Sequence, residues 1–284
     1  MKFGFIGLGK MGGSICKTLL RNGGDVTVFD LNPDAVAAFV ALGGKKAASL
    51  SEAATGMDAV ITSLPMPADL EKVLMGENGV YQAMTKNTVL IDISTVDPAS
   101  ARRFADAAEQ QGLKFLACPL GKGPAQAEVG EAPIFAGGRK EVFEACKPFL
   151  EKMGAPVIYM GDVEQSTAFK LITNLMGMTN VIVMAEGVKL ARQLGIDPGI
   201  FLDSCKDTGA MSYQFAVRAP WIFNNDFAPR FAVNLALKDV RLGVQMAEQA
   251  GVQCPAFSEA QRTYEAAVAN NLGGEDCAAV YKLL

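Results

Sequence analysis

The stretch FGFIGLGKMGG, Phe3–Gly13, decides how the first half of this chain folds. Its apolar opening predicts a short strand, which stops where glycines begin. Gly7, Gly9 and Gly12 stand in the spacing GxGxxG. That spacing alone is common. Here it follows a strand directly and opens a helix-like run, MGGSICKTLLRNG (Met11–Gly23), which is the context that gives it meaning. Gly7 then permits a tight turn, Gly9 lets a pyrophosphate approach the backbone, and Gly12 lets helix and strand pack closely. Unpaired N–H groups at such a helix start face phosphate oxygens, and Leu8, Lys10 and Met11 are expected among the cofactor-binding residues. The next strand, DVTVFD, ends at Asp30, eighteen residues beyond Gly12. A carboxylate there accepts hydrogen bonds from the ribose hydroxyls of an adenosine and repels a 2′-phosphate. No arginine follows at once, since the next residues are Leu31, Asn32 and Pro33. NAD is therefore expected over NADP.

Outward from this unit the alternation continues. AVITSLP, TVLIDIS, KFLACPL, PIFAGG and PVIYMG read as further strands, with helix-like stretches such as PASARRFADAAEQQG between them. Almost wholly apolar strands separated by helices predict a parallel sheet covered on both faces. From Val163 to Gly195 one long helical stretch follows without proline, spanning on the order of 45 Å if continuous. DPGIFLDSCKD, VNLALKDVRLGVQMAEQAG and PAFSEAQRTYEAAVANN read as more helix, and no strand is expected beyond about residue 160. The expected architecture is an α/β Rossmann-type doubly wound sheet over residues 1–162. An all-α C-terminal domain over 163–284, for substrate and oligomerisation, is expected to follow.

Composition narrows the function classes. The 284 residues are 50% hydrophobic and 20% charged, with a net charge of −4. A nucleic-acid binder would show a basic excess, so no nucleic-acid partner is expected. No run of about 18 uninterrupted apolar residues marks a membrane span, and glycines break the N-terminal apolar run before it resembles a signal peptide. Cys16, Cys118, Cys146, Cys205, Cys254 and Cys277 form no CxxC pair, and the chain has no histidine. A metal site of the usual spacing therefore has no candidate ligands. Reduced cysteines in a cytoplasmic protein are expected.

The absence of histidine also restricts the proton chemistry of a nicotinamide enzyme. No tyrosine has a lysine four positions later, which excludes a Tyr-xxx-Lys site. A lysine remains as proton carrier. Lys170 stands near the start of the long helix, in AFKLITNLMGMTNVIVMAEG (Ala168–Gly187), with Asn174 one turn on. Thr167 and Gly177 extend that stripe. Burial in a cleft would lower the pKa of such a lysine and make it a usable acid and base. A lysine near a helix start that reaches for solvent fits the same pattern.

Four segments, in order, resemble the β-hydroxyacid dehydrogenase family, which includes 3-hydroxyisobutyrate dehydrogenase and tartronate semialdehyde reductase. They are GFIGLGKMG with Met11, DISTVDP, FKLITN and NNDFAPRFAVNLALKDVRL, and the likeness runs nearly end to end. The resemblance implies that Lys170 is the catalytic acid/base and that Asn174 orients the substrate. It implies that Ser94, with Thr95, binds the substrate carboxylate, and that Leu64 and Pro65 line the cofactor site. Phe231 and Lys238, beside Asp239, would approach the nicotinamide half. It also implies a homodimer or homotetramer.

One segment departs from the family, which commonly shows Pro-Val-Ser-Gly-Gly where this chain has Pro119-Leu120-Gly121-Lys122-Gly123. The glycines still allow close backbone approach, and Lys122 adds a positive charge for an anionic substrate tail. Sulfolactaldehyde reductases, a branch of the family, are similar in carrying Gly-Arg at that point. The expected activity is NAD-dependent interconversion of a short 3-hydroxy acid and its semialdehyde. A sulfolactaldehyde reductase acting on a sulfonate and a non-catalytic NAD-binding sensor are the alternatives. The likeness gives less support to 6-phosphogluconate-type or imine reductase activity.

Overall fold

A computed structural model describes residues 1–284. It divides into two compact units, Met1–Lys170 and Leu171–Leu284. The division falls inside the helix Val163–Gln193, whereas the sequence reading assigns that whole helix to the second domain.

In the first unit, six strands form one parallel sheet: β1 (Lys2–Ile6), β2 (Asp25–Phe29), β3 (Lys45–Lys46), β4 (Ala59–Thr62), β5 (Val89–Asp92) and β6 (Lys114–Ala117). Their order is β3-β2-β1-β4-β5-β6, as expected of a doubly wound sheet. β7 (Ile134–Ala136) and β8 (Val157–Tyr159) pair with each other in a separate parallel sheet. Side chains alternate between the faces of a strand, and here each face carries its own core. Phe3, Phe5, Ala59, Ile61, Val89 and Ile91 fill one. Ile6, Val60, Leu90, Phe115 and Ala117 fill the other. Burial on both faces is why these strands read as apolar throughout.

Helix starts follow local chemistry. Asn32 accepts from the Asp34 amide, Ser49 from Glu52 and Asp97 from Ser100, each satisfying an amide that a helix leaves unpaired. Ser49 and Glu52 form a capping box, because Glu52 Oε2 also accepts from the Ala48 amide at 2.6 Å.

The second unit is helical. Met178, Val181, Ala185 and Val188 bury one face of Val163–Gln193 among Phe215, Val233, Val240, Tyr264 and Val280. That helix is the one segment long and apolar enough, by length and composition, to cross a membrane, and its buried face packs on protein. The helices Pro198–Cys205, Val233–Gln249 and Pro255–Ala269 match the sequence reading, while Tyr213–Phe223 and a closing 3-10 turn, Cys277–Leu283, were not anticipated.

Candidate functional site

Parallel strands deliver their following loops to one edge of a sheet. The Gly7–Gly12, Ser63–Pro65, Ser94–Thr95 and Gly121–Gly123 segments follow β1, β4, β5 and β6. Between β1 and β4 the strand order reverses direction, which is where open α/β sheets bind ligands.

The glycine loop is shaped by contacts that side chains would prevent. Gly7 has φ +94°, and a Cβ there would lie 2.2 Å from the Ser63 carbonyl oxygen. A Cβ on Gly12 would lie 2.2 Å from the Gly7 carbonyl oxygen and 2.8 Å from Ser63 Cβ. Gly9 differs, because a Cβ there meets nothing within 4 Å. Gly9 and Lys10 are exposed, Met11 is half-buried, and no side chain caps the helix Lys10–Arg21. Open space before an uncapped helix start fits a diphosphate. Asp30 braces this loop. Its Oδ2 accepts from the Leu8 amide at 2.6 Å and its Oδ1 from the Asn32 amide at 2.7 Å. A carboxylate offers about four acceptor sites, so two remain for ribose hydroxyls.

The neighbouring loops are tied to this one. The Ser63 amide donates to Ile6 O at 2.9 Å. The Leu64 amide donates to Ser94 Oγ at 2.9 Å, and Ser94 Oγ donates to Asp92 Oδ1 at 2.6 Å. Pro65 is exposed and Thr95 half-buried. After β6, the Gly121 amide is already bonded to Pro133 O at 2.8 Å. Lys122 is exposed and holds φ 58°, left-handed backbone that a lysine rarely adopts. Gly123 caps the short helix Pro124–Glu128.

Lys170 is half-buried. Thr167, one turn before it, spends its hydroxyl on the carbonyls of Val163 and Glu164 in its own helix. In the second unit, Asn174 Nδ2 donates to Asp239 Oδ2 at 2.6 Å. Asp239 is 2% exposed. Lys238 Nζ lies 2.8 Å from Asp239 Oδ1, an ion-pair contact. Asp239 thus fixes the amide of Asn174 and anchors Lys238. Phe231 is half-buried against the helical core, and its amide donates to Asp276 Oδ2 at 2.9 Å.

Sequence reasoning missed three acids as organisers, namely Asp92, Asp239 and Asp276. Asp276 also accepts from the amides of Arg230 and Ala278 and pairs with Arg218 Nε at 3.0 Å. A charge in the apolar run QFAVRAPWIF was the available signal for Arg218. Burial lowers the affinity of that guanidinium for its proton, but the negative groups around it, Asp276 among them, raise its pKa overall.

Residues 2–161 match a family described as the NAD binding domain of 6-phosphogluconate dehydrogenase. Residues 165–284 match one described as NAD-binding of NADP-dependent 3-hydroxyisobutyrate dehydrogenase. The chain is 33% identical over 284 residues to 2-(hydroxymethyl)glutarate dehydrogenase of Eubacterium barkeri, covering 100% of this chain and 94% of that one. It is 31% identical over 277 residues to 3-sulfolactaldehyde reductase of Escherichia coli K12, covering 97% and 93%. A crystal structure of 3-hydroxyisobutyrate dehydrogenase from Salmonella typhimurium superposes with a TM-score of 0.92 at 29% identity over all of both chains.

Proposed function

The chain belongs to the β-hydroxyacid dehydrogenase family and is an NAD(P)-dependent oxidoreductase, and from that premise we propose that it interconverts a short 3-hydroxy acid and its semialdehyde with NAD. The non-catalytic sensor considered from sequence gives way to an enzyme. The observation that carries the proposal is the Asn174–Asp239 bond at 2.6 Å. It occupies one N–H of Asn174 and leaves its carbonyl oxygen and second N–H for a ligand, one helical turn from Lys170. The chain has no histidine to take the proton instead.

A bound nicotinamide supplies the acceptor or donor of hydride at the carbinol carbon. Lys170 exchanges the hydroxyl proton, as a base in oxidation and as an acid in reduction. Asn174 orients the reacting oxygen. Lys122, with Thr95 and Gly123, meets the anionic end of the substrate. The Gly7–Gly12 loop holds the diphosphate, Asp30 the adenosine ribose, and Leu64 and Pro65 line the coenzyme. Phe231 and Lys238 approach its nicotinamide half. Asp30, with no arginine beside it, supports NAD as the preferred coenzyme.

Replacing Lys170 by alanine is expected to lower kcat by about 10²–10⁴-fold, the usual worth of positioned acid–base catalysis. NADH affinity, read by fluorescence titration, should stay within about threefold, a free-energy change under 1 kcal/mol. Near-normal turnover by that variant would refute the lysine mechanism.

Lys122 favours a second reading, reduction of a sulfonate-bearing aldehyde. Turnover of sulfolactaldehyde against succinic semialdehyde separates the two.

A homodimer or homotetramer completes the proposal. Ile172, Met176, Val183 and Leu190 recur at helical spacing and are 44%, 54%, 61% and 60% exposed in the second unit, an apolar stripe suited to a second copy. A cytoplasmic location is proposed with it.

A further inference from the structure

Asp92 ends β5 with 1% exposure, and the chemistry described so far leaves it unused. Its Oδ1 gathers three donors, Thr62 Oγ1 at 2.8 Å, Ser94 Oγ at 2.6 Å and the Ser94 amide at 3.2 Å. A serine hydroxyl has one proton, and Ser94 Oγ gives it to Asp92 Oδ1. Both donors of Ser94 are therefore directed inward. What Ser94 Oγ has left is lone pairs, and one of them already takes the Leu64 amide at 2.9 Å.

A carboxylate or sulfonate brings only acceptors. It gains nothing from an oxygen whose single hydrogen is spent elsewhere. Leu64, by contrast, bears on the glycine loop: its Cδ2 lies 3.2 Å from where a Gly7 Cβ would sit, and the carbonyl of Ser63 lies 2.2 Å from the same point. Hydrogen bonds thus run from Asp92 through Ser94 to Leu64, whose side chain packs on the turn that opens the GxGxxG loop.

We propose that Ser94 and Asp92 are positioning residues for the coenzyme rather than binders of the substrate anion: Asp92 orients the Ser94 hydroxyl inward, and Ser94 pins the Leu64 amide so that the β4 loop braces Gly7. The proposal rests on the oxidoreductase reading only for the identity of the coenzyme.

The test is Ser94→Ala, checked by thermal melting to be folded. NADH dissociation, read by fluorescence with no substrate present, should weaken by about tenfold, because the Leu64 amide loses its acceptor and the loop its preorganisation. At saturating NAD, the KM for whichever of 3-hydroxyisobutyrate and 2-(hydroxymethyl)glutarate the parent oxidises faster should stay within about threefold, since no contact to the acid is removed. An unchanged NADH dissociation constant overturns the proposal. So does a rise of tenfold or more in the KM for the acid. If the parent binds NADH yet oxidises neither acid, the proposed activity fails, and the NADH arm still decides this inference. Exchange of the Leu64 amide with deuterium gives an independent check. It should quicken in Ser94→Ala, and unchanged protection overturns the proposed strap.

Discussion

Alanine at Gly9 separates the folding role of the glycine loop from its binding role. Gly9 has φ −60° and ψ −174°, an extended conformation open to any L residue. A Cβ there meets no atom within 4 Å. Folding should therefore change by no more than about 1 kcal/mol, because alanine narrows the unfolded ensemble but is poorer than glycine at this helix N-cap. Gly12 is the internal control. Its Cβ would sit 2.2 Å from the Gly7 carbonyl oxygen and 2.8 Å from Ser63 Cβ, where the backbone must move. Overpacking of this kind costs about 1–3 kcal/mol. Urea titration of the two variants should show Gly12→Ala as the less stable. NADH titration should then show Gly9→Ala at least about tenfold weaker than the parent, a loss of roughly 1.4 kcal/mol, since the methyl occupies the space assigned to the diphosphate. A folded Gly9→Ala protein with parental NADH affinity would refute the phosphate cradle. A Gly12→Ala protein of parental stability would refute the contact argument.

Asp30→Ala should weaken NADH by about tenfold and shift the NADPH/NADH preference toward NADPH, as removal of a ribose acceptor that repels a 2′-phosphate requires; kcat/KM with each coenzyme measures it. Arg218→Leu leaves Asp276 buried without its countercharge and should cost about 3–5 kcal/mol in a urea titration. Arg230→Ala, which breaks a part-exposed pair with Asp226, should cost no more than about 1 kcal/mol. Burial pushes the thiols of Cys16 and Cys277 up to about 12 and of Cys146 up to about 11, and raises Cys118 well above its ordinary value of 9.0. Iodoacetamide on the folded protein at neutral pH should modify Cys205 and Cys254 first, and all six cysteines only in urea; mass spectrometry reads the pattern. The raised values also set a sign. Below the ordinary thiol value these groups are neutral in both states, and as pH climbs past it the unfolded chain ionises first, so stability falls on the alkaline side.

Much of the architecture was legible because burial writes itself into composition. Four of the six strands in the large sheet, β1, β4, β5 and β6, are covered on both faces or nearly so, and they read as apolar runs. β3 did not, because it is two exposed lysines, Lys45 and Lys46, that pair with β2 at the sheet edge. The helix Tyr213–Phe223 escaped notice because Pro220 lies within it. Proline there removes one backbone donor near the end of the helix, a cost that packing of Phe215, Ala219 and Ile222 offsets. β7 and β8 were visible as strands, but nothing in their residues says that they pair apart from the main sheet. At the site, the glycine spacing and Lys170–Asn174 are local patterns and could be read. Asp92, Asp239 and Asp276 could not, because their partners Thr62, Asn174 and Arg218 lie 30, 65 and 58 residues away in sequence. A buried acid looks like any turn acid until its donors are known. The same limit applies to Ser94, whose bond to Asp92 Oδ1 at 2.6 Å no local pattern announces.

Lys122 sits where glycine would rest without strain, at φ 58°. Glycine in its place would relieve about 1 kcal/mol or more of backbone tension and would remove the single cation of that loop. Selection for robustness and selection for a charged ligand therefore oppose each other at one residue. Laboratory evolution toward heat resistance would tend to discard this lysine unless turnover were demanded in the same round.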